Sequence, residues 1–394
     1  MSARSFSPED VFAHPAGAAP MVLLAPQRYI QGPGVLNRLG TYISLLKVKR
    51  AGLLGSERGL ASQGTIILDS LTAAGIEGLS SRFNGECSVP EIESQTEIFK
   101  ALEVGCLIAA GGGKLVDAGK SIAFRLDIPV VIVPTLASND APCSALSAIY
   151  TPSGNFVGVE KFPENPALVV VDTDVVAEAD ERYLVAGMGD AMATWYEARV
   201  CLNNPGARNG AGARPTLAAY SVSEACAHTL YEYGEAAASA VRSNHNNHAV
   251  ERIVEANTLM SGVGFESGGL ALAHALAVSY TQIDVVHNNY LHGEMVSMGT
   301  MAQLAMEGSE DARKVAEFFA RVGLPIHLGQ LSLSPNHSNE LDTLIDSALS
   351  RPIAHHMPMP VTYESIRKSL LDAHQLGLKV SEGIGDAAYR RLQS

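Results

Sequence analysis

The chain has 394 residues, 47% of them apolar and 18% charged, which is ordinary globular composition and length enough for two or three domains. A formal net charge of −13 argues against a surface built to attract nucleic acid, and no stretch approaches the 18 or so apolar residues of a membrane span. Acidic residues and prolines interrupt the N-terminal MSARSFSPEDVFAHPAGAAP where a secretory signal would need an apolar run. Five cysteines at 87, 106, 143, 201 and 226 lack any C-x-x-C spacing and read as reduced thiols of a cytoplasmic protein.

Along the first 175 or so residues, short apolar runs alternate with helical patterns. AGLLG (51–55) reads as a strand ending in a turn, and ERGLASQGTIILDSLTAAG follows with helical periodicity. The segment 88–102 reads as a helix opened by Ser88 with Glu91 three residues on, a capping-box arrangement. Next come the apolar run 105–110, a glycine turn, a helix through LVDAGKSIAFRL, and strands at 128–134 and 167–172. Strands apolar at every position and separated by helices imply a parallel sheet covered on both faces, the α/β nucleotide-binding type of domain.

After about residue 180 the β-branched runs give way to Ala-, Leu-, Glu- and Met-rich segments. ERYLVAGMGDAMATWYEARVC, SVSEACAHTLYEYGEAAASAV, HAVERIVEANTLMSGV, DARKVAEFFARVG and YESIRKSLLDAHQLG all carry helical periodicity. The expected organisation is an α/β domain over 1–178 and an all-helical domain over 179–394, without internal repeats.

Three regions hold candidate chemistry. Gly111-Gly112-Gly113-Lys114 lies between a strand and a helix, where backbone amides, a helix N-terminus and one cation suit a diphosphate. Asp117, one turn on, either meets the cofactor or pins the loop. The pattern is neither a Walker loop nor G-x-G-x-x-G, and a tight βα turn with a surface lysine is the bland alternative. The loop 134–150 leaves the carboxyl end of the next strand, where open α/β sheets place ligands, and carries Thr135, Ser138, Asn139, Asp140, Ser144 and Ser147. Turn and helix capping is the commonest task of such residues, but an acid at 140 beside Ala, Pro and Cys asks for a partner. Finally, His274 and His292 stand in a small-residue, mostly uncharged stretch, and Asp190 among small apolar residues. One carboxylate and two imidazoles match an open catalytic zinc site, though buried Asp and His also serve as caps and network members. His245 and His248 read as solvated, His355 and His356 as capping or cleft-lining, and His287 as a neighbour of the candidate metal ligands.

GGGKLVDAGK, PTLASNDAPCSALSAIY, VAGMGDAMATWYEAR, EANTLMSGVGFESGGLALAH and the LHGE ending together resemble glycerol dehydrogenases of the metal-dependent, so-called iron-containing alcohol dehydrogenase superfamily, over nearly the whole chain. The resemblance implies an N-terminal Rossmann-like α/β domain and a C-terminal all-α domain of the dehydroquinate synthase-like fold, with the site between them. It implies zinc on Asp190, His274 and His292, these three and Asp140 at the polyol substrate, and NAD against Ser56, Gly112, Gly113, Lys114, Asp117, Thr135, Ser138, Ser144, Leu146 and Tyr150. It further implies a homo-oligomer, an octamer by family habit. The fourth histidine of iron-binding members is Thr194 here. There are two departures from the family: Ser56 stands where an aspartate usually holds the adenosine ribose, which leaves NADP use open. Ala277 and Val278 replace a polar pair beyond His274, which would make that side of the pocket apolar. The implied reaction is metal-assisted hydride transfer from glycerol to NAD, giving dihydroxyacetone. Alternatives are another vicinal-diol or aminoalcohol dehydrogenase, a 3-dehydroquinate synthase-like lyase, and a non-catalytic NAD-binding protein. The lyase, with its phosphorylated substrate, would need basic residues near the histidines, and 264–294 has no Lys or Arg.

Overall fold

Leu107–Ala110 and Leu168–Val171 are apolar at every position, so both faces of these runs require cover. In the computed structural model, which describes residues 5–12 and 19–394, they are inner strands of a six-stranded sheet. The strands are β1 (Tyr29–Gly32), β2 (Arg50–Gly55), β3 (Glu77–Arg82), β4 (Cys106–Gly111), β5 (Val130–Pro134) and β8 (Leu168–Asp172), with an antiparallel hairpin of β6 (Leu146–Tyr150) and β7 (Phe156–Lys161) standing apart. The order across the sheet is β1-β8-β5-β4-β2-β3, and every pair in it is parallel. Residues 1–4 and 13–18, part of the stretch read above as lacking a signal, lie outside the described residues.

Register brings the functional turns to one edge. Gly55 pairs with Ala110 and Gly111 with Pro134, so Ser56, the glycine turn and Thr135 leave adjacent strands at their carboxyl ends. One sheet face, through Leu54, Leu107, Ala109, Ile132 and Val169, merges with the core of the helical half. The other, through Leu53, Ile108, Val131 and Val170, closes under Leu36, Leu39, Ile67 and Leu71.

Beyond Asp172 the described chain is helical, with long helices at Glu181–Asn203, Leu217–Val241 and Tyr363–Ile384. The 248–263 pattern is not one α-helix: Ala256–Met260 is a π-helical turn between His248–Glu255 and Ser261–Gly268. The 57–75 pattern likewise splits at Ser62 into Glu57–Ala61 and Gln63–Ala73. The capping box expected at Ser88 is absent. The helix runs Val89–Ala101, but buried Ser88 is drawn into a bridge with Tyr150, and Glu91 instead accepts from the backbone and side-chain amides of Asn84. All five cysteines are buried and unpaired with one another. Among the described residues no helix is long and apolar enough to cross a membrane.

Candidate metal and dinucleotide site

Asp190 lies in the Glu181–Asn203 helix with no exposed surface. His274 enters from the first turn of the Leu272–Tyr280 helix and His292 from the first residue of the His292–Glu307 helix. Residues drawn from three helices can meet only if the backbones approach closely, and the small residues read from the sequence permit this. A Cβ on Gly189 would lie 2.4 Å from the Gly293 carbonyl, and one on Gly293 would lie 1.8 Å from the Ala186 carbonyl. Asp190 and His292 are the immediate neighbours of these two glycines.

The result is a compact donor set. Asp190 Oδ1 lies 3.2 Å from His274 Nε2 and 3.5 Å from His292 Nε2, and the three ligand atoms fall within 4.8 Å of one another. Bonds of about 2.1 Å around a tetrahedral ion place neighbouring ligand atoms roughly 3.4 Å apart, so the set fits a zinc-sized cation. Burial alone would push the Asp190 carboxyl up, but His292 and His274 outweigh it and hold it below the usual carboxylate range. Burial opposes charge on His274, yet Glu197 and Asp190 raise its pKa well above the ordinary histidine value. A buried carboxylate facing two imidazole nitrogens thus favours a cation at this position. The His292 imidazole keeps 39% of its surface exposed, so the seat opens on that side.

Asp140 joins it from the loop after β5. Its backbone N–H donates to Asp190 Oδ2 at 3.2 Å, and its carboxylate accepts the Ser261 hydroxyl at 2.9 Å. Burial first, then the Asp190 charge, raises the Asp140 carboxyl well above its ordinary pKa. Glu197, which the sequence reading did not single out, holds the other side of His274: its Oε2 is 2.5 Å from Nδ1. Seven residues separate it from Asp190, two turns along one helix face; that spacing was the available signal. Thr194, at the position of the extra histidine, turns its hydroxyl back onto the Ala191 carbonyl. Ala277 is wholly buried in the helical core, so it seals the interior rather than lining a cleft.

At the carboxyl edge of the sheet, Gly112 caps the Gly113–Leu126 helix, and a Cβ on Gly113 would meet the Asn139 amide at 2.7 Å. Exposed Lys114 is paired with Glu86 at 2.7 Å, its ammonium 5.6 Å from the Tyr150 ring centre. Thr135 continues the edge, its N–H on the Gly111 carbonyl, and Ser138 is half-buried beyond it. Ser56 is exposed and caps Glu57–Ala61 by accepting from the Gly59 amide at 3.1 Å. Of the two roles open to Asp117, the structure displays the pinning one: it is buried, accepts the Ala148 amide at 3.1 Å, and meets Lys120 at 2.9 Å. Buried Lys120, missed in the sequence, ties the loop together through Ala141 O at 3.0 Å, Ser144 Oγ at 3.3 Å and Leu146 O. The Ser144 hydroxyl accordingly faces the interior and donates to Ala141 O.

Of the remaining histidines, His245 and His248 are exposed as expected. His355 and His356 bond the carbonyls of Leu349 and Leu270, a capping use. His287 is half-buried.

Comparison with known proteins places the chain in a family. The iron-containing alcohol dehydrogenase family matches residues 26–173. A glycerol dehydrogenase of Escherichia coli is 42% identical over 90% of this chain and 97% of its own length. The chain belongs to the glycerol dehydrogenase family of iron-containing alcohol dehydrogenases. It is therefore an oxidoreductase of that family. Within the family, a glycolaldehyde reductase of Halobacterium salinarum is 38% identical over 92% of this chain and 99% of the relative. The crystal structure of glycerol dehydrogenase from Schizosaccharomyces pombe superposes with a TM-score of 0.87 at 34% identity, covering 92% of this chain and 93% of that one.

Proposed function

We propose that this protein is a zinc-dependent polyol dehydrogenase that oxidises glycerol, or a close vicinal diol, with NAD: glycerol and NAD give dihydroxyacetone, NADH and a proton. The observation that carries the reading is the convergence of Asp190, His274 and His292 on a seat of zinc dimensions, with Asp140 fastened beside it by a loop from the carboxyl edge of the sheet. In this reading residues 1–178 bind the dinucleotide and 179–394 hold the metal. Asp190 brings the negative charge, fully shielded from water, and His274 and His292 bring two nitrogen donors. Bound zinc supplies Lewis acidity toward an alcohol oxygen, and bound NAD is the hydride acceptor. Asp140, held by the Ser261 hydroxyl, orients the substrate hydroxyls so that the carbinol hydrogen faces the dinucleotide. Gly112 and Gly113 admit the diphosphate to the helix N-terminus. Lys114 exchanges Glu86 for phosphate oxygen, and Ser56, Thr135, Ser138, Leu146 and Tyr150 frame the remainder. Ser144 and Asp117 support this loop from within.

The glycolaldehyde reductase relative favours a second substrate reading on the same chemistry, reduction of a small hydroxyaldehyde. Metal analysis, followed by a panel of polyols and hydroxyaldehydes with NAD and NADP before and after chelation, tests both. Zinc at one equivalent and chelator-sensitive absorbance at 340 nm with glycerol are expected. Turnover that persists without metal would refute the mechanism, and an aldehyde-only profile would refute the polyol assignment.

A further inference from the structure

We propose that Glu197 is the positioning residue that sets His274 as a metal ligand through Nε2; the inference rests on the metal reading above. Glu197 has no exposed surface, and both its oxygens are committed to one histidine and the turn that carries it. Oε1 accepts the N–H groups of Ala271 at 2.8 Å and His274 at 2.9 Å, and Oε2 lies 2.5 Å from His274 Nδ1. A carboxylate has no proton to give, so the bond to Nδ1 requires the ring nitrogen to donate. With Nδ1 as the N–H, the lone pair of the neutral ring is on Nε2, the atom that faces Asp190 Oδ1 at 3.2 Å. The same carboxylate caps the start of the Leu272–Tyr280 helix from a neighbouring helix, so ring, tautomer and backbone are fixed together. One helix thereby carries a metal ligand at 190 and, two turns on, the group that aims the facing ligand.

Glu197→Gln tests this without changing volume. If the amide oxygen stays on the two backbone donors, the amide nitrogen faces Nδ1. Nδ1 must then accept, and the proton moves to Nε2, where it blocks the seat. If the amide flips, its NH2 group confronts the N–H groups of Ala271 and His274. Either way zinc suffers while the dinucleotide edge is untouched. The experiment compares zinc dissociation constants, by competition with a chromophoric chelator, for the unsubstituted protein, Glu197→Gln, Glu197→Asp and Glu266→Gln, together with NAD affinity. Glu266 is a second buried carboxyl group with two donors, Ala145 N and Asn165 Nδ2, neither of them on Asp190, His274 or His292. Glu197→Gln is expected to weaken zinc about 10–100-fold with NAD affinity unchanged. Glu197→Asp, still only an acceptor, should bind zinc more tightly than Glu197→Gln, and Glu266→Gln should match the parent. The proposal is overturned by zinc affinity unchanged in Glu197→Gln, by an equal loss in Glu266→Gln, or by Glu197→Asp proving the weaker of the pair. An unsubstituted protein that retains no zinc overturns the metal reading itself, and this inference with it.

Discussion

Gly293→Ala should separate the metal ligands without altering any of them. The added Cβ would sit 1.8 Å from the Ala186 carbonyl oxygen and 2.5 Å from its carbon. Ordinary contact begins at roughly 3.4 Å, so the His292–Glu307 and Glu181–Asn203 helices must part locally by about 1.6 Å. Backbone atoms are the obstacle, so no side-chain rotation relieves it, and the cost belongs at the upper end of overpacking, about 3 kcal/mol. Metal bonds tolerate only about 0.2 Å of misplacement, so a shift of that size at His292, the adjacent residue, is incompatible with three-point binding. A displacement of 1 Å near reacting groups already costs about 100-fold in rate. Expected, then, are zinc lost on dialysis, turnover down by 100-fold or more, and an unfolding midpoint moved to lower denaturant. Gly383→Ala is the control: in the Tyr363–Ile384 helix it meets nothing within 4 Å, and it should stabilise slightly by helix propensity. Gly293→Ala with full zinc and stability within about 0.5 kcal/mol of the parent would refute the close-approach argument.

Three further substitutions probe the loop from 134 to 150. Ser261→Ala removes the hydroxyl on the Asp140 carboxylate, and about 1–1.5 kcal/mol, or roughly tenfold, should appear in kcat/KM for the polyol with zinc content unchanged; an unaltered kcat/KM counts against Asp140 as the orienting group. Lys120→Met strands the buried Asp117 carboxylate and three loop acceptors, so chemical denaturation should show a loss of about 3–5 kcal/mol, and a loss below 1 would contradict the assigned network. Burial raises the Glu266 carboxyl from 4.5 to about 7, which means the folded state holds the proton more tightly than the unfolded chain. Its contribution to stability is therefore fully present below pH 4.5 and lost as pH rises through 7, up to about 3 kcal/mol. The midpoint difference between parent and Glu266→Gln should shrink or reverse between pH 5 and pH 8, and a constant difference would contradict the raised pKa.

The inner strands were legible because a strand covered on both faces must be apolar at every position, as Leu107–Ala110 and Leu168–Val171 are. Edge strand β3, written EGLSSR, carries no such signal: its partner on one side is solvent, and four of its six residues are polar. Hairpin β6–β7 was hidden for a different reason. Its strand Leu146–Tyr150 is held by Lys120 and Asp117, buried groups whose bonds span 26 to 31 residues and leave no local periodicity. The helix breaks at Ser62 and at Ala256–Met260 are invisible to a 100° repeat, which registers amphipathic faces and not a slipped hydrogen bond. Among the site residues, Asp190, His274 and His292 stood out because charge in an apolar setting needs a partner. Glu197 did not, since ATWYEAR reads as an ordinary amphipathic turn and only the fold shows which face is inward.

Side chains of the π turn at Ala256–Met260 and of the helix after it tie the loop that follows β5 to the helix of Asp190. Asn257 within it donates to the carbonyls of Ala137, in the loop, and Leu184, in the helix of Asp190, at 2.9 and 3.0 Å. Ser261, just past the turn, donates to Asp140. The loop is thus fastened at 137 and 140 by one helix, and at 140 again by Asp190 itself. Fastening at three points leaves little freedom for the loop to drift relative to Asp190, and the hydride transfer proposed above would demand that: donor carbon and acceptor ring must be held in register by parts of the chain that are remote in sequence. The strength of the arrangement lies in hydrogen bonds that cross from the sheet edge to the helices, not in the donor set alone.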